Sequence, residues 1–459
     1  MMHQSKYNSV FFVGIGGIGM SALARYFNAR GIQVFGYDRV KSVLTDELEQ
    51  LGIQILFEDQ LTHLIESLIP SDCLVVYTPA IPKNSIVLNY FTTKQFRVIK
   101  RAEALGEITR SSKSIGVAGT HGKSTTSCML AYLMRNSVVG CNAFLGAIST
   151  NFKTNFLVDE HSDFSVVEAD EFDRSFLFLS PFAAIITTID PDHLDIYGTA
   201  EKFKEGFRQF AMKIDPNGFL IVKEGISVGS LCKQKTYALE SNSADYAAYN
   251  LKDTSHGCTF DLRTPKGVIN NINIGINGLH NAENAVAALA VVSELGLDLA
   301  SIALSFSGFQ GIKRRFERIY QDEQLVYIDD YAHHPMELKR LIESVRAMYP
   351  SQHITGVFQP HLFSRTKDFA DGFAEQLSML DEVILLPIYP ARELPIQGVD
   401  SSWLLSKIKS QVKSLVNPSE LLDFLRIKQH GVLLTIGAGD IDRLVEPIKE
   451  MLEINRSQV

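Results

Sequence analysis

Four groups of residues have types and spacings suited to phosphate and carboxylate chemistry. Gly119-Thr120-His121-Gly122-Lys123-Ser124-Thr125-Thr126 directly follows the apolar stretch 114–118. Its Gly-Lys-Ser core is that of a P-loop: backbone amides cradle phosphates, Lys123 reaches the outer ones, and Ser124 can hold Mg2+. Val117 stands where the general pattern has its first glycine. Gly14-Ile15-Gly16-Gly17-Ile18-Gly19 follows another apolar run and opens a helix-period segment, with Asp38 ending the next run. Small residues let the backbone approach a phosphate at a helix N-terminus, and an acid there can bind a ribose hydroxyl. A nucleotide is expected at this loop; a tight strand–helix turn is the plainer alternative.

Glu168-Ala169-Asp170-Glu171 and Asp190-Pro191-Asp192-His193 each close an apolar run. Two adjacent parallel strands would bring these carboxylates and the imidazole to one sheet edge, beside the phosphates, where they could hold a divalent cation. Further on, Asn277-Gly278-Leu279-His280-Asn281-Ala282-Glu283-Asn284 opens a helix with amides suited to a base or sugar. Arg314 and Arg315 offer guanidinium forks for phosphate. Asp329-Asp330-Tyr331-Ala332-His333-His334-Pro335 and Phe358-Gln359-Pro360-His361-Leu362-Phe363-Ser364-Arg365 both follow strand-like runs, which suggests an anionic or carboxylate-bearing substrate.

These groups need a scaffold of strands with helices between them. Apolar runs predict strands at 9–14, 33–37, 73–78, 96–100, 114–118, 164–169, 182–189, 325–329, 354–358, 382–386 and 431–436, with helices at 18–29 and near 280–295. The alternation is that of parallel sheets covered by helices, an α/β class. It divides into three units, 1–110, 111–312 and 313–459. The 459 residues carry 44 Lys+Arg against 52 Asp+Glu, a net charge of −8. That balance disfavours nonspecific nucleic-acid binding, which rests on cationic side chains. No apolar stretch of about 18 residues suggests a membrane span. The polar start, with no secretory leader pattern, and five scattered cysteines without a CxxC pair point to a reducing cytoplasm.

In their order along the chain, GIGGIGMSALA (14–24), GTHGKS (119–124), EADE (168–171), DPDHLDIY (190–197), HNAENA (280–285), DDYAHHP (329–335) and the FQPH and SR pieces of 358–365 resemble the Mur ligases of bacterial peptidoglycan synthesis. The resemblance covers nearly the whole chain. It implies a Rossmann-like UDP-binding domain, a central P-loop ATPase domain with a mainly parallel sheet, and a C-terminal Rossmann-like α/β domain that closes over ATP. The implied reaction is ATP-dependent ligation of L-alanine to the lactoyl carboxylate of UDP-N-acetylmuramate through an acyl phosphate, with Mg2+, by a cytoplasmic monomer or homodimer.

By the same likeness, Gly16, Gly17, Ile18, Gly19, Asp38 and Thr78 would bind the UDP-sugar. Gly119 to Thr125, Asn281, Arg315 and Asp330 would bind ATP, with Asn281 at adenine and Asp330 at ribose. Ser124, Glu168 and His193 would be Mg2+ ligands. Tyr331, His333, His361 and Arg365 would form the alanine pocket. Lys123, His193, Arg315 and His334 are the expected catalytic groups, with His334 or His361 as the base. The family usually has Thr at Ser124, and many members have Arg at Leu362, which leaves Arg365 as the carboxylate clamp. A tripeptide-joining relative, an NAD-dependent oxidoreductase and a noncatalytic nucleotide-binding regulator are the competing readings.

Overall fold

A computed structural model describes residues 7–191, 194–254, 257–391, 393–426 and 431–457. The described residues up to Ile312 form one compact unit and those from Lys313 a second. The first unit holds two sheets. Strands β1 (Ser9–Val13), β2 (Gln33–Tyr37), β3 (Gln54–Leu56), β4 (Cys73–Tyr77) and β5 (Arg97–Lys100) run in the order β3-β2-β1-β4-β5, all parallel. All of β1, Ser-Val-Phe-Phe-Val, is buried, as expected where helices cover both faces of a parallel sheet. The order reverses between β1 and β4, so the glycine loop after β1 opens at the switch point where such sheets bind ligands.

The second sheet has ten strands: β6 (Lys113–Ala118), β7 (Asn142–Ser149), β8 (Thr154–Leu157), β9 (Phe164–Glu168), β10 (Ala183–Ile186), β11 (Phe219–Lys223), β12 (Lys233–Leu239), β13 (Tyr246–Thr254), β14 (Gly257–Thr264) and β15 (Gly267–Asn273). Their order is β15-β14-β13-β12-β11-β10-β6-β9-β7-β8, parallel except at β13–β14–β15 and β7–β8. The two acid-tipped strands are not neighbours, as the sequence had suggested. β9 and β10 lie on opposite sides of β6, because the chain crosses the P-loop strand between them. The expected strand 182–189 also stops at Ile186, since Thr187 and Thr188 turn their polar groups to the P-loop. Helices Lys123–Arg135 and Leu279–Glu294 pack together on this sheet. Twelve of the sixteen residues of Leu279–Glu294 are buried, which marks it as an internal helix.

In the second unit, β16 (Glu317–Gln321), β17 (Leu325–Asp330), β18 (Ile354–Phe358), β19 (Glu382–Leu385), β20 (Val412–Leu415) and β21 (Gly431–Ile436) run β16-β17-β21-β18-β19-β20, parallel but for β16. The ends of β17 and β18 carry the two histidine-bearing stretches. Among the described residues no helix is long and apolar enough to cross a membrane. All five cysteines are free, and burial pushes the Cys128 and Cys141 thiols up to about 12, so neither is a reactive thiolate.

Candidate active site

The P-loop joins β6 to helix Lys123–Arg135, whose N-terminus no side chain caps, and uncapped amides of this kind suit an anion. Gly119 has φ +137°, and a Cβ there would overlap the Thr187 hydroxyl; only glycine fits. The turn after β10 braces the loop: Thr120 N–H donates to Thr188 O at 3.1 Å and His121 N–H to Thr188 Oγ1 at 3.0 Å. The Thr120 hydroxyl donates to Asp190 O at 2.7 Å. Asn284 Oδ1 lies against Gly122, while Asn281 donates to Asn277 O at 2.7 Å.

Lys123 Nζ donates to Gly119 O at 2.7 Å and to Glu171 Oε1 at 2.9 Å. Burial opposes its charge, but the carboxylates of Glu171, Glu168 and Asp170 more than offset this, and its pKa is raised. Burial likewise raises Glu168 and Glu171, against the pull of Lys123. The Glu168 carboxylate accepts from Gly146 N–H at 3.1 Å, and the Ser124 hydroxyl close by favours its charged form against the burial. A Cβ on Gly146 would overlap that carboxylate, so the glycine makes room for it. Two hard oxygen donors, Ser124 and Glu168, thus sit side by side next to a phosphate cradle, a donor set that fits Mg2+. His193 lies outside the described residues.

At the first glycine loop, helix Ile18–Ala29 also begins with no side-chain cap. Asp38 Oδ2 accepts from Gly16 N–H at 2.8 Å and Oδ1 from Val40 N–H at 3.1 Å. The acid therefore shapes the loop from below. A cavity of about 410 Å³ is lined by Gly17, Gly19, Thr78 and Arg101 from around the first sheet and by Glu168 and Asp170 from the second. Ile18 completes the loop's contribution to it.

In the second unit the two arginines differ. Arg314 is fixed by Asp329 (Nε to Oδ2, 3.0 Å) and Gly437 O (2.6 Å). Arg315 is more exposed, 3.7 Å from Glu337 and over the Tyr331 ring at 5.5 Å. Asp330 accepts from Phe316 N–H at 2.6 Å and Ala332 N–H at 2.8 Å, and burial raises its pKa to about 6. It therefore holds the loop that carries Arg315.

Three histidines, similar in sequence, have different states. His334 caps helix Pro335–Met348, its Nδ1 accepting from Met336 N–H. His361 Nδ1 accepts from Arg365 at 3.1 Å, and burial and Arg365 push its pKa down to about 4. His333 Nδ1 is 2.9 Å from Tyr331 O, which can only accept, so Nδ1 carries the proton and Nε2 keeps its lone pair. Burial lowers the pKa of His333 against the opposing pull of Glu337, 3.4 Å away. His333 and His361 rings are 6.3 Å apart, with Tyr331 against the first and Tyr389 stacked on the second. Leu362 has φ +71° and turns the chain into helix Phe363–Asp368. Sequence reasoning gave no role to Arg101, Glu337 or the Thr187-Thr188 turn, and it grouped Glu171 with the carboxylates that could hold a cation, whereas the structure pairs it with Lys123.

Comparison with known proteins bears on the fold and the family. Residues 9–113 match the family described as Mur ligase family, catalytic domain; 117–292 match Mur ligase middle domain; 314–439 match Mur ligase, glutamate ligase domain. The chain belongs to the Mur ligase family. Among particular members, it is 49% identical to the UDP-N-acetylmuramate–L-alanine ligase of Porphyromonas gingivalis, over 97% of this chain and 99% of that one. It is 48% identical to the enzyme of the same name from Parabacteroides distasonis, over 98% of each. The crystal structure of UDP-N-acetylmuramate–alanine ligase from Thermotoga maritima superposes with a TM-score of 0.82 at 25% identity, over 98% of this chain and 100% of that one.

Proposed function

We propose that this chain ligates L-alanine to the lactoyl carboxylate of UDP-N-acetylmuramate at the expense of ATP, in the bacterial cytoplasm, in the peptidoglycan-building route. The observation that carries this reading is the shared cavity: the glycine loop suited to a sugar nucleotide and the Glu168 end of the P-loop site line one space. A carboxylate held there would lie next to the phosphate-binding loop. The relatives named above support the substrates. The domains are proposed as 1–110 for the UDP-sugar, 111–312 for ATP and 313–459 for the amino acid.

In this reading the amides of Gly17, Ile18 and Gly19 hold the diphosphate, and Gly16 keeps the loop in shape through Asp38. Gly119 to Thr125 cradle the ATP phosphates, and Lys123 moves from Glu171 onto the outer phosphates, offsetting charge in transfer to the sugar carboxylate. Ser124 and Glu168, with His193, would hold Mg2+, which when bound screens the phosphate charge. Asn281 is assigned to adenine and Arg315 to a phosphate.

For the amide-forming step, Arg365 clamps the alanine carboxylate, with Tyr331 and His361 lining its pocket. His361, neutral with Nδ1 engaged, presents Nε2–H as a donor. His334 is committed to a helix cap. That leaves His333, whose Nε2 is available to take the proton that the alanine nitrogen sheds as its C–N bond forms and the phosphate leaves. Glu337 steadies the imidazolium that results.

A phosphate-release assay with ATP and UDP-N-acetylmuramate, varying the amino donor, tests the reading. Release with L-alanine is expected, and 18O placed in the muramate carboxylate should appear in the phosphate. Release only with a tripeptide, or phosphate without label, would overturn the substrate or the acyl phosphate respectively.

A further inference from the structure

Glu171 itself has no task in the ligation chemistry, yet its side chain is almost wholly buried against Lys123. One oxygen accepts from Nζ at 2.9 Å; the other, 2.8 Å away, has no aligned hydrogen bond. Lys123 cannot serve this carboxylate and a phosphate oxygen together without sharing one ammonium between two anions. The Glu171 main chain is anchored, since the Tyr197 hydroxyl donates to its carbonyl at 2.7 Å. Release must therefore come from the side chain or from its neighbours.

Those neighbours reach the sugar-nucleotide loop. Asp170 lies 3.6 Å from Arg101, and Asp173 pairs with Lys100 at 2.6 Å. Arg101 in turn rests on the glycine loop, with its Nη1 2.8 Å from where a Gly19 Cβ would be. At the second of these anchors, Asp173 and the following Arg174 both take left-handed backbone conformations, φ +50° and +55°, which non-glycine residues keep only when their surroundings hold them. A diphosphate at Gly17–Gly19 would draw the Arg101 guanidinium from Asp170 and alter the charge beside Glu171.

We propose that Glu171 is a positioning residue that holds Lys123 off the nucleotide until sugar-nucleotide binding loosens it, so that the two substrates strengthen each other's binding. This rests on the reading that ATP occupies the P-loop and the UDP-sugar the first glycine loop. Calorimetric titration of the full chain with Mg2+ and a nonhydrolysable ATP analogue, with and without UDP-N-acetylmuramate, tests it. The wild type should bind the analogue about fivefold or more tightly with the sugar present. Glu171→Gln should bind the analogue more tightly than wild type when the sugar is absent, and its coupling ratio should fall toward one. Asp173→Asn, at a solvent-reached pair, keeps the test available if Glu171→Gln does not fold, and should also lose coupling. An uncoupled wild type, an unchanged or weakened analogue affinity in Glu171→Gln, or full coupling in Asp173→Asn would each overturn the proposal. Failure of either ligand to bind the wild type at all would instead overturn the substrate reading beneath it.

Discussion

Arg314 and Arg315 show how adjacent identical residues take separate work. The Arg314 guanidinium satisfies Asp329, which has no exposure at all, and a carbonyl of the loop after β21. Arg314→Ala would leave that carboxylate with the Thr435 hydroxyl but without its cation, and urea unfolding should show a loss of about 3–5 kcal/mol, the usual cost of removing one partner of a buried pair. Arg315→Ala should leave unfolding within about 0.5 kcal/mol, as at other surface positions, while phosphate release falls sharply. The reverse pattern would exchange the two roles. The sequence could not make this distinction, because which guanidinium turns inward is set by the positive φ of Arg314 (+62°) and by Asp329 across the β16–β17 pair. A similar contrast separates the histidines. His361 has a folded pKa of about 4, below its unfolded value, so protons bind the unfolded chain preferentially between those two values. Its contribution to stability is therefore lost as pH falls through that window. Relative to wild type, the melting temperature of His361→Gln should rise as pH goes from neutral toward 4.5. A difference that stays flat with pH would show that His361 is not held neutral.

At the scale of elements, the two glycine loops proposed to bind phosphate were legible because their requirements are local. Each needs glycines between a strand and a helix, and both appear as consecutive residues. The strands that brace them were less so. β9 and β10 read as neighbours because they follow one another as acid-tipped runs, but sheet order depends on which crossover the chain takes, and the P-loop strand lies between them. The antiparallel β13–β15 extension and the β7–β8 pair also escaped the apolar-run reading; β14 alternates buried and half-buried positions, and β15 is mostly exposed, so neither reads as a continuous apolar run. This geometry gives a direct prediction at the P-loop. Gly119→Ala would force a side chain into the Thr187 hydroxyl at a φ that alanine resists. The loop must then shift off its bracing turn, and nucleotide affinity should fall by about tenfold or more, a cost of some 1.4 kcal/mol. Unchanged affinity would mean that the turn after β10 does not set the loop's shape.

For the whole molecule, the −8 charge is no obstacle to the two anionic substrates proposed and the carboxylate of the third, because in this reading each meets a local device rather than the average field. The glycine loop offers helix-terminal amides, the P-loop adds Lys123, and the alanine site proposed in the second unit offers Arg365. If these devices are separate, a substitution in one should spare binding at another. Lys123→Ala removes the cation proposed to reach the outer phosphates but no residue that lines the cavity assigned to the sugar nucleotide. It should abolish ligation, while calorimetry in the absence of nucleotide should show UDP-N-acetylmuramate binding with close to wild-type affinity. Loss of both together would mean that the glycine loop does not hold the sugar nucleotide by itself. Wild-type ligation by the variant would remove the P-loop lysine from the chemistry altogether. The coupling proposed through Glu171 sharpens this comparison: without nucleotide the variant should differ little, and only with nucleotide should the sugar's affinity no longer rise.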